Sequence, residues 1–248
     1  MRILESAGEK CARLLDEKIR NVKASWVQAD EIHGFVFSKQ DKVERDDAER
    51  GEFFTFLSVD MSSKLIINSR VGKRNTETTD AFLQDLKSRM ACRFQFTTDA
   101  YHGYWRGNGG AVGRAFGNNI DYATERKIFM NRNAILTPPY LPPKLIGIRR
   151  LQRIGSPEMA LATTCHAERM NLSVRLFNRR FTRKTLGYSK KLDNLRHAMA
   201  IFMAHFNFCR VHSAHGRTPA QAANLTDHQW KIAELLAETA ENQQSMSA

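Results

Sequence analysis

The sequence predicts an α/β domain with a mixed sheet flanked by helices, and three observations lead there. Three segments of β-branched and aromatic residues follow one another before residue 72. A helically spaced segment then separates them from a fourth strand, and two further helical segments close the order after residue 164. A chain of 248 residues is long enough for one large domain, since single cores stop growing only near ~250 to 300 residues.

The elements follow in order. Ile3, Leu4, Ala7, Cys11, Leu14 and Leu15 approximate a helical stripe, so residues 1–24 form a helical lead-in. Trp26 to Phe37 is rich in β-branched and aromatic residues and reads as a strand, with a charged turn from Lys39 to Arg50. Phe53 to Asp60 and Lys64 to Val71 form a hairpin across Met61-Ser62-Ser63, so the first three strands make an antiparallel meander. Asn75 or Thr76 caps a helix running to about Met90, with Thr79, Phe82, Leu83 and Leu86 at helical spacing.

A fourth strand, "RFQFTTD", ends at Asp99, followed by the glycine-rich "AYHGYWRGNGGAVGRAFG" as helix or loop and a weaker strand near Ile120 to Ala123. Residues from about Glu125 to Pro157 hold five of the six prolines and many cations, and read as a mobile basic loop. A basic helix opens near Cys165, and an apolar one spans about Leu192 to Phe208. This is the order of a ribonuclease-H-like domain over residues 25–210, with 211–248 as a C-terminal tail.

Charge points to a polyanionic partner. The chain carries 38 Lys and Arg against 26 Asp and Glu, a net charge of +12. Residues 141–196 hold 13 of the cations and three acidic residues, a local net of +10. Tyr, Phe, Asn, Ser and Thr interleave with them, which suits phosphate contacts. Cys11, Cys92, Cys165 and Cys209 lie far apart with no Cys-x-x-Cys pair, so neither a zinc ribbon nor a disulfide framework is expected. There is no run of 18 or more apolar residues and no signal-peptide core, which predicts a soluble intracellular protein with no membrane partner.

Three carboxylates are placed to meet. Asp30 sits in the first strand, Asp99 at the end of the fourth and Glu168 in the first turn of the basic helix. Oxygen ligands in such a cluster suit Mg²⁺ or Mn²⁺, which take the rest of their shell from water and substrate phosphates. Two such ions support in-line phosphoryl transfer. Periodicity leaves open whether Asp30 or its neighbour Glu31 faces the site. Each carboxylate also has an ordinary reading, Glu168 as a helix-dipole partner and Asp99 as a turn residue. On a helical wheel Met170, Val174, Phe177 and Phe181 form an apolar stripe opposite Glu168, Arg175 and Arg179. His102 and His166 lie near two of the carboxylates as candidate phosphate or water contacts, although a lone histidine is more often structural.

At these residues the chain resembles a family. "VQADEIHGFVFSK", "FTTDAYHGY" and above all "CHAERMNLSVRLFNRRFTRKTLGYSK" are similar to the three catalytic blocks of DDE transposases of bacterial insertion sequences, of the insertion-sequence-one type. The segment "FNFCRVHSAHGRTPAQAANLTDHQW" is similar to their closing block. The resemblance covers about Trp26 to Trp230 and implies a metal-binding triad of Asp30, Asp99 and Glu168. It also implies that Arg169, Asn171, Arg175, Arg179, Arg183 and Lys184 support the triad or contact DNA. Double-stranded DNA, both element ends and target, is the implied partner, with a homo-oligomer assembling on it in the bacterial cytoplasm at the nucleoid. Relatives carry an N-terminal zinc-ribbon and helix-turn-helix region, and residues 1–24 resemble its tail. Two alternatives are a truncated, inactive DNA-binding remnant and a ribonuclease-H-like nuclease without strand transfer.

Overall fold

The computed structural model describes residues 2–44, 47–106, 110–130, 143–183 and 185–237. Six strands form one sheet: β1 (Trp26–Val36), β2 (Gly51–Asp60), β3 (Ile66–Gly72), β4 (Gln95–Asp99), β5 (Asp121–Phe129) and β6 (Leu145–Ile154), in the order β3-β2-β1-β4-β5-β6. β1 to β3 are an antiparallel meander, β4 joins β1 in parallel, β5 joins β4 in parallel, and β6 closes the far edge antiparallel to β5. This mixed sheet with flanking helices is the predicted ribonuclease-H-like α/β arrangement.

One face is covered by α2 (Thr76–Arg89), α3 (His102–Trp105) and α4 (Gly110–Phe116). Phe56 and Phe96 from the sheet meet Phe82 and Tyr104 from these helices, and Phe96 stacks on Tyr122 of β5, with ring centroids 5.6 to 6.5 Å apart. All five rings are fully buried, and burial of this size dominates core energetics. Asn75 caps α2, its side chain accepting from the Thr78 N–H, as its residue type predicts. The other face receives α5 (Cys165–Phe177), whose first turn is tied to β1: Gln28 Oε1 accepts from the N–H groups of His166 and Ala167.

The lead-in is α1 (Arg2–Lys18), packed along α6 (Leu192–Ala204). The helices approach so closely at Gly8 that a Cβ there would lie 2.2 Å from His197 Cβ. Arg89 at the end of α2 donates to the carbonyls of Leu15 and Ile19, which satisfies the orphan acceptors of the α1 terminus. After α6 a π-helical turn (His205–Cys209) aims Asn207 at the edge strand β3, where it donates to Ile66 O and accepts from Ile66 N. That pairing covers a sheet edge that otherwise exposes unpaired backbone. The C-terminal segment adds α7 (Pro219–Ala222) and packs Trp230 on Phe208. Among the described residues no helix is long and apolar enough to cross a membrane.

One expectation is corrected. The segment read as a basic loop from Glu125 to Pro157 is mostly sheet, because β5 runs on to Phe129 and β6 occupies Leu145–Ile154. Four of its prolines cluster at positions 138–143, and Leu145, Ile146, Ile148 and Ile154 supply strand-forming side chains beyond them. Residues 131–142 lie outside the described residues. The glycine-rich stretch resolves into α3 and α4, with Gly110 opening α4 at φ +61°, a conformation that a side chain would strain.

Candidate active site

Strand pairing builds the site. In the parallel pairs the last β1–β4 partners are Ala29 and Thr98, and Asp99 is the partner of Glu125. Asp30 and Asp99 are each one residue further on, so both carboxylates sit where the parallel β1–β4 pairing ends. Asp30 is held from two sides. Its Oδ2 accepts from Asn171 Nδ2 at 2.8 Å and its Oδ1 from the Glu31 N–H at 2.8 Å. Asp99 Oδ1 accepts from the Tyr101 N–H at 2.9 Å, an Asx turn that leaves Oδ2 towards the cleft.

The choice between Asp30 and Glu31 resolves into both. One carboxylate oxygen from each of Asp30, Glu31 and Asp99 lies within 4.8 Å of the others. Glu31 is nearly fully buried and pairs through Oε2 with Arg74 Nη2 at 2.8 Å. The fully buried Tyr104 hydroxyl lies beside the Glu31 carboxylate and interacts with it. Arg74 also reaches Asp99 at 3.8 Å and stacks on Tyr101, 3.9 Å from the ring centroid. Burial, then the charge of Asp99, pushes both Asp30 and Glu31 up to about 7. Burial raises Asp99 as well. Three acids this close cannot all ionise cheaply without a cation among them.

Glu168 faces the same cleft, a space of about 520 Å³ that Asp30, Asp99 and Glu168 all line. It stands outside the tight trio, but its charge raises both Asp30 and Asp99. Glu168 Oε1 accepts from Thr164 Oγ1 at 2.8 Å, and Lys127 Nζ on β5 contacts both carboxylate oxygens. Glu125 is buried deeper and fully engaged, accepting from Thr164 N and Oγ1 and from Arg150 Nε at 3.0 Å. The structure thus brings the three sequence-predicted carboxylates to one cleft.

The accompanying residues divide. Asn171 is buried behind Asp30, while Arg169, Arg179 and Arg183 are exposed. Arg175 is half-buried within the field of Asp30, and its Nε has no partner. Lys184 lies outside the described residues. The inner stripe of α5 is Ala167, Met170, Asn171 and Val174, whereas Phe177, expected to be inside, is exposed. The helix ends at Phe177, and a 3-10 turn capped by Asn178 returns Phe181 to the core and places Arg179 beyond the helix. His102 lines the cleft with its ring edge-on to Trp105. His166 lies with Nδ1 3.3 Å from Lys64 Nζ, and burial, then Lys64, lowers its pKa.

Sequence reasoning passed over Arg74, Glu125, Lys127 and Arg150. For Glu125, Lys127 and Arg150 the sole signal is the strand register that places them beside the carboxylates, and Arg74 follows the end of β3 with no local signal of its own. The donor set fits a hard divalent cation: carboxylate oxygens of Asp30, Glu31 and Asp99 cluster, and Asp30, Asp99 and Glu168 line a cleft open to solvent. Asp30, Asp99 and Glu31 are the nearest group, with Glu168 across the cleft.

No protein-family model matches the chain, and no curated protein matches it. Among solved structures it is similar to a piggyBac transposase in a synaptic complex with hairpin DNA, determined by cryo-EM, with a TM-score of 0.42 and 10% sequence identity. The match covers 89% of this chain and 54% of that one, so the chain spans about half the length of the structure it matches.

Proposed function

We propose that the protein is the catalytic part of a DDE-type transposase of bacterial insertion sequences, acting on double-stranded DNA with Mg²⁺ or Mn²⁺. The observation that carries this reading is the convergence of Asp30, Asp99 and Glu168, from β1, β4 and α5, on one cleft in a strongly basic chain. The three blocks that resemble the insertion-sequence-one type hold these same residues.

Divalent ions bound there would supply charge neutralisation for phosphoryl transfer and activation of water. The protein's own work is positional. Asn171 and the Glu31 N–H fix the Asp30 carboxylate, the Tyr101 N–H fixes Asp99, and Thr164 orients Glu168. Arg74 offsets the excess negative charge at the trio. Exposed Arg169, Arg179 and Arg183 extend from the site as phosphate contacts. Hydrolysis at an element end frees a 3′-hydroxyl, and attack of that hydroxyl on a target phosphodiester joins the strands. In the first step water's oxygen bonds to phosphorus as the P–O3′ bond breaks, leaving a 5′-phosphate and the free 3′-hydroxyl. In the second a new phosphodiester forms as the target's own 3′-hydroxyl leaves, and neither step needs a covalent enzyme intermediate. Pairing of two ends calls for a homo-oligomer on DNA.

The test incubates the protein and Mn²⁺ with plasmid and labelled duplexes of randomised 3′-OH termini. Joining of a subset of ends, lost in Asp30→Asn, Asp99→Asn and Glu168→Gln, is the expected result. Cleavage without joining would instead identify a nuclease, and salt-sensitive DNA binding with neither reaction a non-catalytic remnant.

A further inference from the structure

We propose that Lys127 is an exchangeable cation, neutralising Glu168 in the metal-free protein and moving to a phosphate oxygen of bound DNA once Glu168 serves a divalent ion. The inference rests on the function proposed above and concerns the same cleft.

Two carboxylate–cation pairs meet on β5, and they are built differently. Glu125 and Lys127 are two residues apart, so both side chains leave the same face of the strand. The Glu125 side chain is 2% exposed, and Arg150 and two groups of Thr164 hold it. That pair is fixed. In the other, the Lys127 and Glu168 side chains are 28% and 41% exposed, and Lys127 Nζ sits on both oxygens of the carboxylate. Half-solvated pairs of this kind contribute little and exchange readily.

An ammonium on both carboxylate oxygens stands where a hard cation would bind, so metal and Lys127 compete for Glu168. Of the cations nearest these carboxylates, Arg74 is committed to Glu31 and Arg150 to Glu125. Displaced from Glu168, the ammonium remains on a flexible four-carbon stem inside the cleft. A phosphate lying against the carboxylates is then its nearest available anion. Lys127 would thus neutralise Glu168 in the absence of metal and contribute a DNA contact in its presence.

Calorimetric Mn²⁺ titration of the full chain, with Lys127→Gln, Lys127→Arg and Asp30→Asn alongside, tests this. Removal of the competitor is expected to tighten Mn²⁺ binding about fivefold in Lys127→Gln. The salt slope of duplex DNA binding is expected to fall by about one in Ca²⁺ and stay unchanged in EDTA, with Lys127→Arg keeping the wild-type slope. Equal or weaker Mn²⁺ binding by Lys127→Gln, or an unchanged slope in Ca²⁺, would overturn the proposal. Equal Mn²⁺ binding by the wild type and Asp30→Asn would overturn the metal site itself, a result separable from the first.

Discussion

Asp99 and Glu125 lie side by side in the parallel pairing of β4 and β5, yet their carboxylates are used in opposite ways. Glu125 is enclosed, with Arg150 and Thr164 filling its acceptor sites, and it anchors the residue that precedes α5. Asp99 is tied at one oxygen by the Tyr101 N–H and lines the cleft together with Asp30 and Glu168. Adjacent acids in one ladder therefore provide a fixed support and an available ligand.

Asn171 is the support for Asp30. Asn171→Ala removes the donor to a buried carboxylate and is expected to lower stability by roughly 1 to 3 kcal/mol, and to weaken Mn²⁺ binding as Asp30 loses its orientation. Thermal unfolding and a metal titration on the same variant read the two effects.

Stability of the metal-free protein should fall as pH rises. Asp30 and Glu31, pushed up to about 7 by burial and Asp99, keep protons in the native state that the unfolded chain has already released. Their contribution is complete below about pH 4, the unfolded carboxylate range, and is lost as pH rises through about 7. Asp30→Asn should flatten this slope and melt higher than the wild type at pH 8. Mn²⁺ should protect the wild type more at pH 8 than at pH 5, since its ligands must be deprotonated. Melting curves across pH with and without Mn²⁺ show both.

Arg74 holds the charge balance of the trio. Arg74→Ala leaves the buried Glu31 without its cation and is expected to cost about 2 to 3 kcal/mol at pH 8, discounted for the partial exposure of Arg74. At pH 5, where Glu31 is protonated, the loss should shrink. Denaturant titration at the two pH values makes the comparison.

Gly8 sets the approach of α1 to α6. Gly8→Ala would place a Cβ 2.2 Å from His197 Cβ and should destabilise by about 1 to 3 kcal/mol as the helices separate, although alanine favours an isolated helix. Chemical denaturation with helical content followed by circular dichroism distinguishes the two effects.

What the sequence reveals follows the range of the physics. The β1–β3 meander, the Asn75 cap and the end of β4 at Asp99 are local patterns of alternation and capping, and each is found where it reads. β6 is hidden because its apolar residues alternate with arginines next to a proline cluster, so a count of breakers outweighs its strand character. Asp30, Asp99 and Glu168 are legible from residue type and motif. The parts played by Glu31, Arg74, Glu125 and Lys127 depend on partners 25 to 43 residues away, which only the folded chain brings together.

The most direct measurement is Mn²⁺ titration by calorimetry of the wild type and Glu168→Gln in the presence of a short DNA duplex. Binding in the wild type that is lost or strongly weakened in the variant is the result that a working Asp30, Asp99 and Glu168 cluster predicts. Equal binding in the two proteins would contradict it.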